Sequence, residues 1–299
     1  MTASLPPVHR WDAVVHPRAV VHVVHGMSEH ARRYARLAET LNAAGFVVWA
    51  HDHRGHGQNP TPPVGHGHFA DANGWRAIID DAWAVTEALR AAYRDVPLLL
   101  LAHSMGSFVG QTLMGEHGDG YAGVVLSGSN GPPRGLEGVV RVLAAAQRRA
   151  LGGRAPGTWV NRLVMGTYNR PFAPNRTPFD WLSRDAAEVD LYANDPLCGF
   201  TLTSQAWLDL LEGKRMLGDA AHLQRIPRAL PVHLIAGGRD PVGENGDGVR
   251  RLYDMYWRAG LTEVSMRLYD DARHELLNET NRDEVMQDIV SWMDLRCRR

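Results

Sequence analysis

VPLLLLAHSMGSFVGQTLMGE, residues 96–116, passes from a continuous apolar run through a cluster of small residues into helix-spaced apolar positions. The run at 96–103 predicts a strand buried on both faces, and Met105 to Glu116 predicts a helix starting directly after it. At the junction, Ala102-His103-Ser104-Met105-Gly106 is G-x-S-x-G with alanine in the first glycine position. A serine at so sharp a strand-to-helix turn takes a strained backbone, and the residues two places to either side must be small to clear it. Such a turn lifts the Ser104 hydroxyl above the sheet. It also aims the Met105 backbone N–H at the point where negative charge would grow on a substrate oxygen. Small-x-Ser-x-small is common by chance, so the reading depends on the rest of the chain.

Partners follow in the chain order Ser, Asp, His expected for such a site. Asp240 stands in GGRDPV (237–242), just after an apolar run. There a carboxylate can hold an imidazole in one tautomer and stabilise its charged form, although an Asp-Pro turn is the plainer meaning of the same residues. His274 stands in DDARHE (270–275), after an expected strand and before the closing helix. With an ordinary pKa near 6.5 it can accept the Ser104 proton and return it to a leaving group. A second oxyanion donor is expected from the loop after an earlier strand, and His25-Gly26-Met27 nominates the Met27 amide, with Gly26 allowing the backbone close to a substrate.

Outward from this centre the chain alternates short apolar runs with longer amphipathic ones, the pattern of βα units in a mostly parallel sheet. Strands are predicted at 19–25, 46–52, 96–103, 121–128, 231–238 and 262–270. Helices are predicted at 32–44, 75–93, 105–116, 248–259 and 282–295. The alternation stops between about Asn130 and Arg228, which is rich in Pro, Gly and Arg with scattered large side chains such as Trp159, Met165, Trp181 and Trp207. The expected organisation is therefore one α/β core, 1–129 with 229–299, carrying an insertion at 130–228, and the Gly128–Gly138 patch is the exit loop into it.

Composition excludes other classes. Lys and Arg number 32 against 33 Asp and Glu, a net charge of −1 that lacks the strongly basic balance phosphate-backbone binding favours, so no nucleic-acid partner is expected. No apolar run approaches the roughly 18 residues of a transmembrane segment, and the first residues, MTASLPPVHRW, carry no apolar leader. A cytoplasmic address and two free thiols, Cys198 and Cys297, are expected.

Several separated motifs occur together: HGMSEHARRY (25–34), DHRGHGQN (52–59), AHSMGS (102–107), WLSRDAAEVDLYANDPLCGF (181–200), GGRDPVG (237–243) and ARHELLNE (272–279). With them, most of the chain resembles the monoacylglycerol lipase, lysophospholipase and serine aminopeptidase-like branch of the α/β-hydrolase superfamily. The resemblance implies an α/β-hydrolase fold, a mostly parallel sheet with helices on both faces and residues 130–228 as an inserted cap. It implies that Ser104, Asp240 and His274 match the catalytic triad, that Met27 and Met105 supply the oxyanion hole, and that Arg184, Asp185 and Asp195 make hydrogen bonds within the cap. Ala102 departs from the usual elbow glycine, and the N-terminal strands read short. The expected reaction is cleavage of a carboxylic ester, on a small-molecule or lipid substrate of the monoacylglycerol or lysophospholipid kind, through an acyl-enzyme that needs no cofactor. The alternatives are aminopeptidase-like amide hydrolysis by the same triad and a non-catalytic ligand-binding protein on the same fold. Peripheral membrane contact through the cap and the oligomeric state stay open. A zinc reading of His51, His53 and His56, with His66 and His68 nearby, is set aside because Gly55 stands where the matching zinc hydrolases carry an aspartate. Asp52 and Arg54 are instead expected to make structural hydrogen bonds near the pocket.

Overall fold

The computed structural model describes residues 5–131 and 137–297; residues 132–136, inside the anticipated exit loop, lie outside them. In chain order the elements are β1 (Val8–Trp11), β2 (Ala19–Val24), α1 (Ala35–Ala43), β3 (Phe46–His51), α2 (Gly74–Ala92), β4 (Leu98–His103), α3 (Met105–His117) and β5 (Gly123–Ser127). Then come α4 (Glu137–Leu151), α5 (Thr158–Asn169), α6 (Ala186–Asn194), α7 (Ser204–Met216) and α8 (Ala220–Leu223). The chain closes with β6 (Val232–Gly237), α9 (Asp247–Arg258), β7 (Val264–Tyr269) and α10 (Arg282–Asp294).

The strands form one sheet in the order β1-β3-β2-β4-β5-β6-β7, parallel throughout except where β1 runs antiparallel to β3. Every residue of β2, β3, β4, β5 and β6 is buried, which explains their mostly apolar character. Successive side chains still alternate between the two faces. Leu98, Leu100 and Ala102 join the core cluster beneath α2, α3 and α9, whereas Leu99 and Leu101 join the one beneath α1 and α10. The edge strand β1 is an addition to the six expected. Its four residues include His9 and Arg10 and follow two prolines, too short and polar a run to signal a strand.

Between β5 and β6 the described chain is helical, with no strand. Here α4 packs on α5 and α7, and α7 also rests on α2 and α3. A small separate cluster of Trp181, Leu182 and Tyr192, with Met165, Tyr168 and Phe179 against it, sits away from the sheet. No described helix is long and apolar enough to cross a membrane.

Candidate active site

The carboxyl ends of β2, β4, β6 and β7 open on one edge of the sheet, where an open α/β sheet places its ligand site. Ser104 follows β4 with φ 52° and ψ −122°, the strained turn that its small neighbours were expected to permit. Alanine at 102 is accommodated from the facing helix. A Cβ added at Gly110 would lie 3.0 Å from that of Ala102, so the methyl group occupies space that α3 leaves vacant. Asp240 lies on the loop after β6 and His274 on the loop after β7, and the two loops are tied together where the Arg239 N–H donates to the Ala272 carbonyl at 3.0 Å.

The three expected side chains meet. His274 Nε2 lies 2.8 Å from Ser104 Oγ and His274 Nδ1 lies 2.9 Å from Asp240 Oδ2. Asp240 Oδ1 is held by the Val242 N–H at 2.9 Å. Asp240 is fully buried and His274 nearly so. Burial opposes a charge on His274, but Asp240 outweighs it by charge and hydrogen bond, with Glu275 and Glu29 adding to it, and the His274 pKa ends above 6.5. His103, whose ring centroid is 4.8 Å from that of His274, is held neutral by burial and by that neighbour, its pKa lowered to about 4.

Two cavities meet at Ser104. One of about 380 Å³ is walled mainly by apolar side chains of α3, α4, α5 and α7, among them Phe108, Val140, Leu163, Val164, Leu210 and Leu211, and also by Met105. The other, of about 140 Å³, is bordered by Ser28, Glu29, His103, Asn161, Tyr192, His274 and Glu275 together with Phe179 and Phe200. Met27, Met165 and Trp181 border both. Met27 and Met105, the two expected amide donors, therefore lie beside Ser104, and Met105 opens a helix whose first N–H groups have no intrahelical acceptor. Of the large side chains left without a role by the sequence, Met165 and Trp207 line the larger cavity, and Trp159 is 45% exposed.

A buried charge cluster went unassigned by sequence reasoning. Glu29 Oε1 accepts the Gly26 N–H at 2.6 Å and the Tyr34 hydroxyl at 2.9 Å. Arg33 donates to Glu29 Oε2 at 2.7 Å and, in a two-bond fork, to Glu275 at 2.6 and 2.7 Å. One guanidinium thus links the Gly26-Met27 loop to the residue after His274. No local signal marks it, because SEHARR mixes Glu29 and Arg33 with the exposed Arg32 and the partner Glu275 lies 242 residues from Arg33.

Arg184, Asp185 and Asp195 make hydrogen bonds, not all of them internal to the insertion. Arg184 reaches the buried Glu279 at 2.8 Å, Asp185 caps α6 and pairs with Arg282 at 2.8 Å, and Asp195 pairs with His30 at 2.9 Å. Asp52 accepts the N–H groups of Ala31 and Gln58 at 2.9 and 2.8 Å, and Arg54 forks onto Asp81 at 2.7 and 2.8 Å. These bonds are structural as expected, but neither Asp52 nor Arg54 borders the two cavities at Ser104. Among the described residues, His51, His53 and His56 do not gather three ligand atoms; His51 Nδ1 meets His22 Nε2 at 2.9 Å and His53 Nε2 meets the His25 carbonyl at 3.1 Å.

Residues 15–281 match the family described as serine aminopeptidase, S33. The chain belongs to this family. As an S33 α/β-hydrolase it is 29% identical to the monoacylglycerol lipase of Mycolicibacterium smegmatis, over 95% of this chain and 90% of that protein. It is 26% identical to the human monoglyceride lipase, over 96% of this chain and 86% of that one. Among solved structures, a thermostable carboxyl esterase from Bacillus coagulans in complex with glycerol superposes with a TM-score of 0.88 at 29% identity, covering 97% of this chain and 94% of the esterase.

Proposed function

We propose that this carboxylic ester hydrolase cleaves monoacylglycerols through an acyl-enzyme on Ser104. The observation that carries the reading is the position of Ser104 Oγ where a large apolar cavity meets a smaller one whose wall mixes aromatic side chains with Ser28, Glu29, Asn161 and Glu275. An ester with a fatty acyl chain and a small polyol fits across that junction with its carbonyl at the serine. His274 Nε2 takes the Ser104 proton as Oγ attacks, Asp240 holds the other ring nitrogen, and the Met27 and Met105 amides receive the oxyanion. The protonated His274 then gives its proton to the departing glycerol oxygen, and water repeats the cycle on the acyl-enzyme.

The small cavity also bears on the alternatives. Its carboxyl groups, Glu29 and Glu275, offer a phosphate head group no hydrogen-bond donor, which disfavours lysophospholipids, and both are bound to Arg33 rather than free to hold a peptide's ammonium group. Residues 130–228 act as the cap in this reading, since α4, α5 and α7 supply most of the apolar wall. Val139, Val142 and Trp159, 56%, 70% and 45% exposed on α4 and α5, give the cap a lipid-facing side for peripheral contact. The two free cysteines fit a reducing cytoplasm.

The test is kcat/KM on monoacylglycerols, lysophosphatidylcholines and aminoacyl amides side by side. Monoacylglycerols should lead both other classes by about tenfold or more. A lead for either of the others overturns the substrate assignment.

A further inference from the structure

We propose that His30, Asp195 and Cys198 form a binding site for a borderline-soft divalent cation of the zinc class, at the seam between the core and the inserted segment. A ring nitrogen of His30, a carboxylate oxygen of Asp195 and the Cys198 sulfur lie within 4.8 Å of one another, and they are the one such group among the described residues. Imidazole, carboxylate and thiolate together are a zinc-type donor set, which leaves a fourth position for water.

The backbone presents the three groups together. The Cys198 N–H donates to the Asp195 carbonyl at 3.0 Å and the Leu197 N–H to Asp195 Oδ1 at 2.8 Å, so the Asp195-Pro196-Leu197-Cys198 turn folds the thiol back toward the carboxylate. The next residue, Gly199, donates its N–H to the Ser28 carbonyl at 2.9 Å, fastening this turn to the loop that carries His30. His30 Nε2 meets Asp195 Oδ2 at 2.9 Å, while its Nδ1 is buried without a hydrogen-bond partner among the described residues. The imidazole is thus fixed by a single bond that an ion can replace. The field suits a cation, because Asp195, Glu29 and Glu275 stand near Cys198 against the single charge of Arg33.

Closing the set around an ion brings each donor to about 2.0–2.3 Å from the metal. The ion takes the place of the hydrogen bond between His30 Nε2 and Asp195 Oδ2, with both side chains turned onto the metal. The Cys198 thiol proton, which burial holds firmly, is released to water as the sulfur–metal bond forms. Binding releases the thiol proton, so apparent affinity rises with pH.

The test is titration of the intact protein with Co²⁺, read by the thiolate-to-metal charge-transfer band and tetrahedral ligand-field bands, followed by Zn²⁺ as competitor. Both sets of bands should grow to one equivalent, vanish on adding Zn²⁺, persist in Cys297→Ser and be lost in Cys198→Ser. His30→Ala should weaken binding at least tenfold, and Asp195→Asn supplies the same comparison should His30→Ala fail to fold. Absence of a thiolate band in the wild-type protein, or its survival in Cys198→Ser, overturns the proposal. The readout needs no turnover, so it succeeds or fails independently of the ester reaction.

Discussion

The two cavities that meet at Ser104 are built by opposite means. The larger is lined mainly by apolar side chains on the faces of α3, α4, α5 and α7. The smaller is walled by loop residues together with Asn161 and Met165 of α5 and Tyr192 of α6, and its two carboxylates are already committed: Glu29 to Gly26, Tyr34 and Arg33, and Glu275 to Arg33. A wall of the first kind reads size and tolerates repacking, whereas a wall of the second kind fixes geometry and tolerates little. Substitutions on the polar side should therefore damage the chemistry for every substrate, and those on the apolar side should change which substrate is used.

The strongest break of that contrast comes from Gly26→Ala. A Cβ there would lie 2.7 Å from Glu29 Oε1 and 3.1 Å from the Ser104 Cβ, so the loop must retreat and take the Met27 amide with it. Loss of one oxyanion donor lowers kcat by about 10²- to 10³-fold. The fall should be equal for short and long acyl esters, measured by steady-state kinetics on p-nitrophenyl esters of increasing chain length. Leu163→Trp, on the wall of the larger cavity, should give the complementary result. Long-chain kcat/KM falls about tenfold or more while short-chain turnover is spared, since the lost fit is that of methylenes alone. A uniform loss in Leu163→Trp would mean that the large cavity does not hold the acyl chain.

The smallest effect is a displacement in pH. His274 must be neutral to accept the Ser104 proton, so kcat/KM rises with pH through the His274 pKa, which lies above 6.5. Glu275→Gln removes one of the negative charges that favour the protonated ring. The His274 pKa should fall and the acid limb of the profile move to lower pH. An unmoved or upward-shifted limb would place Glu275 outside the electrostatics of the base.

These two sides were unequally visible beforehand. Ser104, Asp240 and His274 could be read because each follows a strand, and strand ends are local features of a sequence. The large cavity was half visible. Trp159, Met165 and Trp207 were noticed together, yet only Met165 and Trp207 face it, because the orientation of each side chain depends on how α5 and α7 pack. The Glu29–Arg33–Glu275 link was not legible. Its halves are separated by more than two hundred residues, and a charged residue signals solvent until the fold shows otherwise. The antiparallel edge strand β1 escaped for a simpler reason: four residues with two polar members carry too little pattern to register.

All of this requires Ser104 to be the atom that carries the acyl group between the two cavities. The direct measurement is intact-protein and peptide mass spectrometry after treatment with a fluorophosphonate. One adduct should form, on the peptide bearing Ser104, and Ser104→Ala should take up none while losing at least about 10⁴-fold in ester turnover with an unchanged circular dichroism spectrum. Labelling at another residue, or ester turnover retained by Ser104→Ala, would contradict the account.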